Sequence, residues 1–463
     1  MKSNTIAAIA TPMTNSGIGI IRISGDEALD IIEKVFKPKK KDKKIKDVKT
    51  YTAHYGHVYD ESTLLDECIV LVMKGPHSYT AEDVVEINCH GGVVVMKKVL
   101  EAVFKAGATP AEPGEFTKRA FLNGRIDLSE AEAVMDLIQS KNEFAMSTSL
   151  KQLEGALGKK ITEIRKQIIH SVAFIESALD DPEHYSLDGF PEKLLEEDKK
   201  WITIAKEMLD SYDNGRIIAE GIRTCIVGKP NAGKSSFLNA LLGEERAIVT
   251  DIAGTTRDTL EESVTIDGIT LNIVDTAGIR DTEDKVESIG VERAKKEIES
   301  ADLILFLMDT SVQISEEDIE ILQRIRDKKK IILLNKSDKA TEESGFEQSA
   351  LKEYISEETP VISISAKYGD GIDNFIMELK NMMFHGRIDV NQEVYITNAR
   401  HKDALAKTYE SLECVERSIE AGMPEDFFTI DLMNAYEKLG LIIGESVEED
   451  LVNEIFSKFC TGK

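Results

Sequence analysis

The sequence predicts a multidomain fold: an α+β N-terminal domain, an all-α helical domain, and an α/β domain inserted into the helical one. Three observations predict it. Residues 1–119 hold short β-branched runs broken by Gly and Pro. Residues 120–220 and 381–463 repeat apolar residues at helical spacing. Residues 221–380 alternate strand-length apolar runs with helical patterns, as a helix-covered, mostly parallel sheet requires. The 463 residues leave room for this set, since one domain takes roughly 100–200 residues.

In the first region the strand runs are Gly19 to Ile23, Cys68 to Val72 and Val84 to Ile87, and Val93 to Phe104 is a helix packed on their sheet. The run Lys37 to Lys49 contains eight Lys. It reads first as a solvated surface loop and second as a contact for phosphate backbones.

In the second region Ser129 with Glu132 fits a capping box ahead of an apolar run. Ile161, Ile164, Ile168, Val172, Ile175 and Leu179 fall on one helical face, which reads as bundle core. Pro182 and Pro191 break the pattern before another helix near Trp201. Periodicity returns after residue 381 with Leu405, Tyr409, Leu412 and Ile419, so the two helical stretches can bury each other's apolar faces. Between them the strand runs are Thr224–Val227, Leu271–Val274, Leu303–Leu307, Ile331–Leu334 and Val361–Ile364.

Composition narrows the class. Hydrophobic residues at 42% and charged residues at 30% suffice for packed cores and exclude a wholly disordered chain. No apolar run approaches the roughly 18 residues of a membrane span, and the start of the chain lacks the apolar core of a secretory signal. Five scattered Cys without a CxxC pair point to a reducing cytoplasm and away from structural zinc. The net charge of −27 opposes non-specific nucleic-acid binding. That charge is uneven: residues 1–119 hold 17 Lys and Arg against 16 Asp and Glu, and the remainder holds 40 against 68. An RNA substrate would need a local basic patch or a basic partner.

The α/β region carries the chemistry. GKPNAGKS, Gly228 to Ser235, follows a strand and opens a helix, the context of a phosphate loop. Backbone N–H groups of Asn231, Ala232, Gly233, Lys234, Ser235 and Ser236 can converge on phosphate oxygens at the helix N-terminus. Lys234 would reach the β- and γ-phosphates and Ser235 would ligate Mg²⁺. DTAG, formed by Asp275, Thr276, Ala277 and Gly278, ends the next strand; its carboxylate can hold Mg²⁺ through water and Gly278 can sense the γ-phosphate. NKSD supplies Asn335, Lys336 and Asp338. Asp338 can accept from guanine N1–H and the exocyclic amine, and adenine would leave it unpaired, which selects GTP. Ser365, Ala366 and Lys367 follow the last strand, where backbone can meet the guanine carbonyl. Ordered at strand ends, these motifs specify a Ras-like α/β P-loop GTPase domain.

TDIAGTTRD lies between the first two motifs and gives Thr250, Asp251, Ile252, Ala253, Gly254, Thr255 and Thr256. A Thr that meets Mg²⁺ only beside a γ-phosphate makes this loop a switch, and Thr256 is the candidate. Hydrolysis also needs a positioned water. Ile279 occupies the place after DTAG where many related enzymes have Gln. Asp281, Glu283, Asp284 and Glu287 are the nearby carboxylates, and spacing does not choose among them. Arg257 and Arg280 are the available arginines.

Over essentially its full length the chain resembles the tRNA-modification GTPase family called MnmE or TrmE. The resemblance rests on TIAAIATP near the start, YTAEDVVEINCHGG at Tyr79 to Gly92, PGEFTKRAFLNGRIDL at Pro113 to Leu128, PNAGKSS, TDIAGTTRD and the terminal FCTGK. The chain departs from the family at Thr14, Asn15 and Ser16, where a Gly-rich turn is usual, and at Thr461, where Ile is common. The resemblance implies a homodimer that hydrolyses GTP with K⁺ in the place of an arginine finger. Asn231, Thr250, Ile252 and Thr255 would hold that K⁺, and Glu287, nine residues beyond DTAG, would position the water. It implies a domain at 1–119 that dimerises and binds a one-carbon tetrahydrofolate derivative, 5-formyl or methylene, at Arg22, Glu86, Arg125 and Lys463. Helical parts at 120–220 and 381–463 would flank a G domain at 221–380. Cys460 would lie near the folate pocket, although alone it reads as a small buried hydrophobe. The implied partner is the FAD- and NADH-using MnmG (GidA), joined in a heterotetramer or larger complex. The implied outcome is a carboxymethylaminomethyl group at carbon 5 of the wobble uridine of certain tRNAs. The competing expectation is a regulatory GTPase, such as a ribosome-assembly factor, whose output is partner binding.

Overall fold

A computed structural model describes residues 4–40, 44–243, 247–250, 261–274, 296–340, 346–356, 358–384, 395–445 and 447–463. The chain packs as two units: residues 1–135, 151–202 and 404–463 form one, and residues 136–150 with 203–403 form the other.

The first unit contains a seven-stranded sheet. Its strands are β1 (Ile6–Ile9), β2 (Ser16–Ser24), β3 (Phe36–Pro38), β4 (Thr52–Asp60), β5 (Thr63–Met73), β6 (Val84–Gly91) and β7 (Thr109–Pro110). They lie in the order β3-β4-β5-β6-β2-β1-β7, antiparallel except for β1 with β7. The expected runs lie within β2, β5 and β6, and the expected helix is Val93–Lys105. Alternation selects the buried face: Ile21 and Ile23, Val70 and Val72, and Val85 and Ile87 pack with Ile31, Ile32, Met96 and Val99 of the helices Ala28–Val35 and Val93–Lys105.

The helical part of this unit pairs Ala156–Asp180 with Glu425–Ile443. Ile161, Ile164, Ile168, Val172 and Ile175 are buried, each contributing about 2 kcal/mol by leaving water. Leu179, expected on the same face, is exposed, and Ala178, three residues after Ile175, takes the buried position in the last turn. The two helices approach closely at Gly440, where a Cβ would stand 3.1 Å from the Arg165 guanidinium. Arg165 lies over the Tyr436 ring and donates to the Tyr436 carbonyl at 3.1 Å. The helix Leu128–Gln139 is capped two residues earlier than expected. The backbone N–H of Glu130 donates to Asp127 at 2.8 Å and that of Asp127 donates to the Glu130 carboxylate at 2.8 Å, whereas Ser129 sits inside the helix and donates to Asp127. Asp127 and Glu130 have the same spacing as Ser129 and Glu132, and Asp accepts as well as Ser does.

The second unit holds the α/β sheet. Its strands are β8 (Ile222–Val227), β9 (Ala247–Thr250), β10 (Glu261–Ile266), β11 (Ile269–Val274), β12 (Leu303–Asp309), β13 (Lys330–Asn335) and β14 (Val361–Ser363), in the order β14-β13-β12-β8-β11-β10-β9. Strands β14 through β11 are parallel, and β10 and β9 add antiparallel pairs. This is the Ras-like α/β arrangement predicted from the motifs. Leu303 to Met308 and Ile331 to Leu334 are buried on both faces, which explains why these strands read as continuous apolar runs. Strand β8 lies between β12 and β11, so the chain reverses direction across the sheet there, and ligands settle beyond the carboxyl ends at such a point. Among the described residues no helix is long and apolar enough to cross a membrane.

Candidate functional site

Three motifs meet at the carboxyl ends of β8, β13 and β14. After Val227 the backbone takes positive φ at Gly228, Asn231 (64°) and Gly233 (97°) before the helix Lys234–Gly243 begins. Gly233 is needed for space as well as conformation, since a Cβ there would collide with the Asn335 amide. Lys234 folds over this loop and donates to the carbonyls of Gly228 at 2.7 Å and Lys229 at 2.9 Å. Burial holds its pKa below the usual lysine value. A phosphate oxygen in the loop would exchange with those carbonyls as partner of the ammonium. Ser235 stands in the first helical turn, exposed beside the loop.

Asn335 ties the loops together. Its side chain is buried, donates to the Ala232 carbonyl at 2.7 Å and accepts from the Ala366 N–H at 3.0 Å. Ser365 donates to Asp338 at 2.7 Å, which fixes one carboxylate oxygen. Lys336, at φ 63°, pairs with Asp309 at 2.6 Å. Lys229 pairs with buried Asp318 at 2.6 Å and so braces the loop from the adjacent helix Glu316–Arg324. The sequence reading missed Asp309 and Asp318, because neither lies in a nucleotide motif. Thr250 ends β9. The expected residues Asp251, Ile252, Ala253, Gly254, Thr255, Thr256, Asp275, Thr276, Ala277, Gly278 and Glu287 lie outside the described residues.

The first unit gathers a second cluster. Arg22 on β2 and Glu86 on β6 are cross-strand partners and pair at 2.8 Å, both largely screened from water. Arg22 also donates to the Gly462 carbonyl at 3.1 Å. Two guanidinium groups lie over the Tyr79 ring, Arg22 at 5.1 Å and Arg125 at 4.8 Å from its centre. Phe116 offers Arg22 a second ring at 5.6 Å. The chain end reaches this place because the Gly114 N–H donates to the Cys460 carbonyl and the Phe116 N–H to the Lys463 carbonyl. Gly462 makes the close turn, at φ 96° against the backbone of Ile9 and Ala10. Lys463 is half-buried, and burial followed by the nearby Arg22 charge holds its pKa below the usual value. Cys460 is exposed, not buried, since the tail is held here by its backbone. Arg22, Glu86, Arg125 and Lys463, which lie far apart in sequence, thus share one neighbourhood. Tyr79 and Phe116 open and enter two of the quoted sequence blocks but were not singled out as site residues.

The comparisons with known proteins agree in extent. The MnmE helical domain family matches residues 128–460, and the family described as GTP-binding protein TrmE N-terminus matches residues 5–125. A protein from Lachnoclostridium phytofermentans named tRNA modification GTPase MnmE is 55% identical over 463 residues, covering 100% of both chains. Proteins of the same name from Clostridioides difficile and Thermoanaerobacter pseudethanolicus are 49% and 47% identical over 99% and 100% of both chains. A chain that matches these relatives from end to end, and whose GKPNAGKS loop is tied to its NKSD motif by Asn335, is a GTP-hydrolysing enzyme and belongs to the tRNA modification GTPase family MnmE.

Proposed function

We propose that this chain is a K⁺-dependent GTP hydrolase of the cytoplasm that works as a homodimer with the FAD-dependent partner MnmG (GidA). Together they add a carboxymethylaminomethyl group at carbon 5 of the wobble uridine of certain tRNAs. In this reading residues 1–119 bind folate and dimerise, residues 221–380 form the G domain, and residues 120–220 with 381–463 form the helical domain. Lys234 and the loop N–H groups hold the phosphates. Ser235 and Thr256 would hold Mg²⁺, and the place of Ser235 in the first helical turn after the loop suits it. Asn231, Thr250, Ile252 and Thr255 would hold K⁺, and Asn231 is already turned into positive φ at the loop's tip. A fixed cation there supplies charge that offsets the phosphate oxygens during transfer. Glu287 is the residue that would orient the water. Asp338, steadied by Ser365, selects guanine.

The observation that carries the tRNA-modifying reading over the partner-binding switch is the cluster around Tyr79. Glu86 can accept from pterin ring donors, and Arg125 and Lys463 suit the carboxylates of a folate tail. A plain nucleotide switch has no use for such a set. Titration calorimetry of the full chain with 5-formyltetrahydrofolate tests it. Binding that is weakened at least about tenfold by Arg125→Ala is expected, a loss near 1.4 kcal/mol. No binding to the folded full chain would favour the switch.

A further inference from the structure

The loop GKPNAGKS holds two lysines, Lys229 and Lys234, and either residue type could meet a phosphate. The structure separates them. Lys234 stays over the loop carbonyls. The Lys229 ammonium turns instead to the helix Glu316–Arg324, where it pairs with Asp318 at 2.6 Å and donates to the Ser315 hydroxyl at 3.0 Å. The Asp318 side chain is 3% exposed and that of Lys229 18%. The Ser315 N–H at 2.9 Å and the Ser315 hydroxyl at 3.0 Å reach the same carboxylate oxygen as Lys229. Of these three donors Lys229 alone is charged. Among the described residues the other oxygen, Oδ1, is buried without a hydrogen bond. A buried carboxylate that loses its cation is left uncompensated, so this pairing is held firmly.

Both ends of the tie are anchored. Leu322 and Ile325, at the far end of the helix, are buried with Val227, Phe306 and Met308 in one cluster. The helix and the strand that enters the loop therefore rest on the same packed floor. Gly228 runs against β12, and a Cβ there would stand 2.5 Å from the Leu307 carbonyl. Between Gly228 and the tie to Asp318 lies one residue, Lys229. Its side chain fastens to the helix, while its carbonyl accepts from Lys234 at 2.9 Å, next to that of Gly228 at 2.7 Å. Holding the side chain limits where the carbonyl can stand, and Lys234 rests on that carbonyl.

We propose that Asp318 is a positioning residue for nucleotide binding: through Lys229 it keeps the phosphate loop in its binding shape before a phosphate arrives. Lys229 is then a strut and not a second phosphate ligand. A loop shaped in advance loses less freedom on binding, which raises affinity. The proposal rests on the reading that GKPNAGKS holds the phosphates of GTP.

Titration of the full-length protein with a fluorescent GDP analogue, together with steady-state GTP hydrolysis, tests it. Asp318→Asn keeps an acceptor for the Ser315 N–H, and so the helix cap, but removes the charge that holds Lys229. It should weaken binding of the analogue at least about fivefold and raise KM for GTP as much, with kcat within about twofold of native. Lys229→Met should do the same. Lys229→Arg keeps the charge and should recover native affinity within about twofold. Native affinity in Asp318→Asn or Lys229→Met would overturn the proposal, and so would an arginine variant as weak as the methionine one. Lys229→Met combined with Asp318→Leu removes the buried charge along with its partner. That pair should melt like the native chain and still bind the analogue weakly. Affinity that returns with stability would reduce the contact to packing and overturn the proposal. Should the single variants not fold, this pair decides. Lys234→Ala separates the strut from the reading beneath it, since it should lose most of the binding. Native binding in Lys234→Ala would overturn the phosphate-loop reading and the strut with it. Lost binding there beside native binding in Asp318→Asn would overturn the strut alone.

Discussion

Asp338 concentrates the question of base choice in two oxygen atoms. One accepts from Ser365 at 2.7 Å, so the carboxylate has a fixed plane before any base arrives. In the proposed base site the two oxygens would meet donors at guanine N1 and the exocyclic amine. An amide in place of the carboxylate keeps the Ser365 contact but presents a donor where guanine also has one. Asp338→Asn should therefore lose GTP by about tenfold or more and gain xanthosine triphosphate, whose 2-oxo group accepts. Competition binding with the two nucleotides checks this, and an unchanged GTP preference would remove Asp338 from the base site. Residue types in order were sufficient to expect Asp338, Asn335 and Lys234 in one site. They did not reveal that Asn335 bridges Ala232 and Ala366, because that contact joins residues 103 and 31 positions away.

At the scale of elements, the helix Phe190–Asp210 shows how one residue can set a helix's response to pH. Leu194, Asp198, Trp201, Ala205 and Met208 form its buried stripe at spacings of three and four. Asp198 thus occupies a core position, fully buried, with neither carboxylate oxygen hydrogen-bonded. Burial first, and the Glu416 charge second, push its pKa up from 3.8 to about 8, while Lys199 opposes weakly. A raised carboxyl pKa means that the folded chain keeps a proton the unfolded chain has lost. Stability therefore falls as pH rises between those two values. Asp198→Asn should raise the melting temperature by several degrees at neutral pH and flatten its pH dependence across that window. A melt series at several pH values checks this; a variant with the slope of the native chain would show Asp198 to be solvated. The apolar helix stripes were legible in sequence because Ile168 and its neighbours repeat at helical spacing. The cap at Asp127 was not, since two Ser or Asp positions with an acid three residues on stood side by side. Leu179 fitted the pattern because spacings of three and four both match a helical face, and the stripe continues through Ala178 instead.

At the scale of the whole molecule, charge and partnership must agree. A net −27 repels RNA, and only the first 119 residues approach balance. The run Lys37 to Lys49 does not stand wholly free: Lys37 lies over Tyr59, Lys39 lies over Tyr55, and Lys46 pairs with Asp30. A basic partner therefore has to carry much of the tRNA contact in the proposed reaction. The proposed monovalent ion gives a second whole-molecule expectation, because in the family pattern it acts where two G domains meet. Replacing K⁺ by Na⁺ at constant ionic strength should lower GTP turnover severalfold, and insensitivity in a steady-state assay would refute the cation's role. The proposed folate set, Arg22, Glu86, Arg125 and Lys463, could be assembled from sequence only through the family resemblance; the contacts that join these residues depend on a tail folding back across the N-terminal sheet.

The most direct test of the central claim, that GTP cleavage by this chain drives wobble-uridine modification, is mass spectrometry of nucleosides from tRNA. The comparison uses cells carrying the native chain, cells lacking it, and cells carrying Glu287→Ala. The account predicts a carboxymethylaminomethyl group at uridine carbon 5 only with the native chain, and no such group in the other two. Modified uridine at native levels in cells lacking the chain would contradict it.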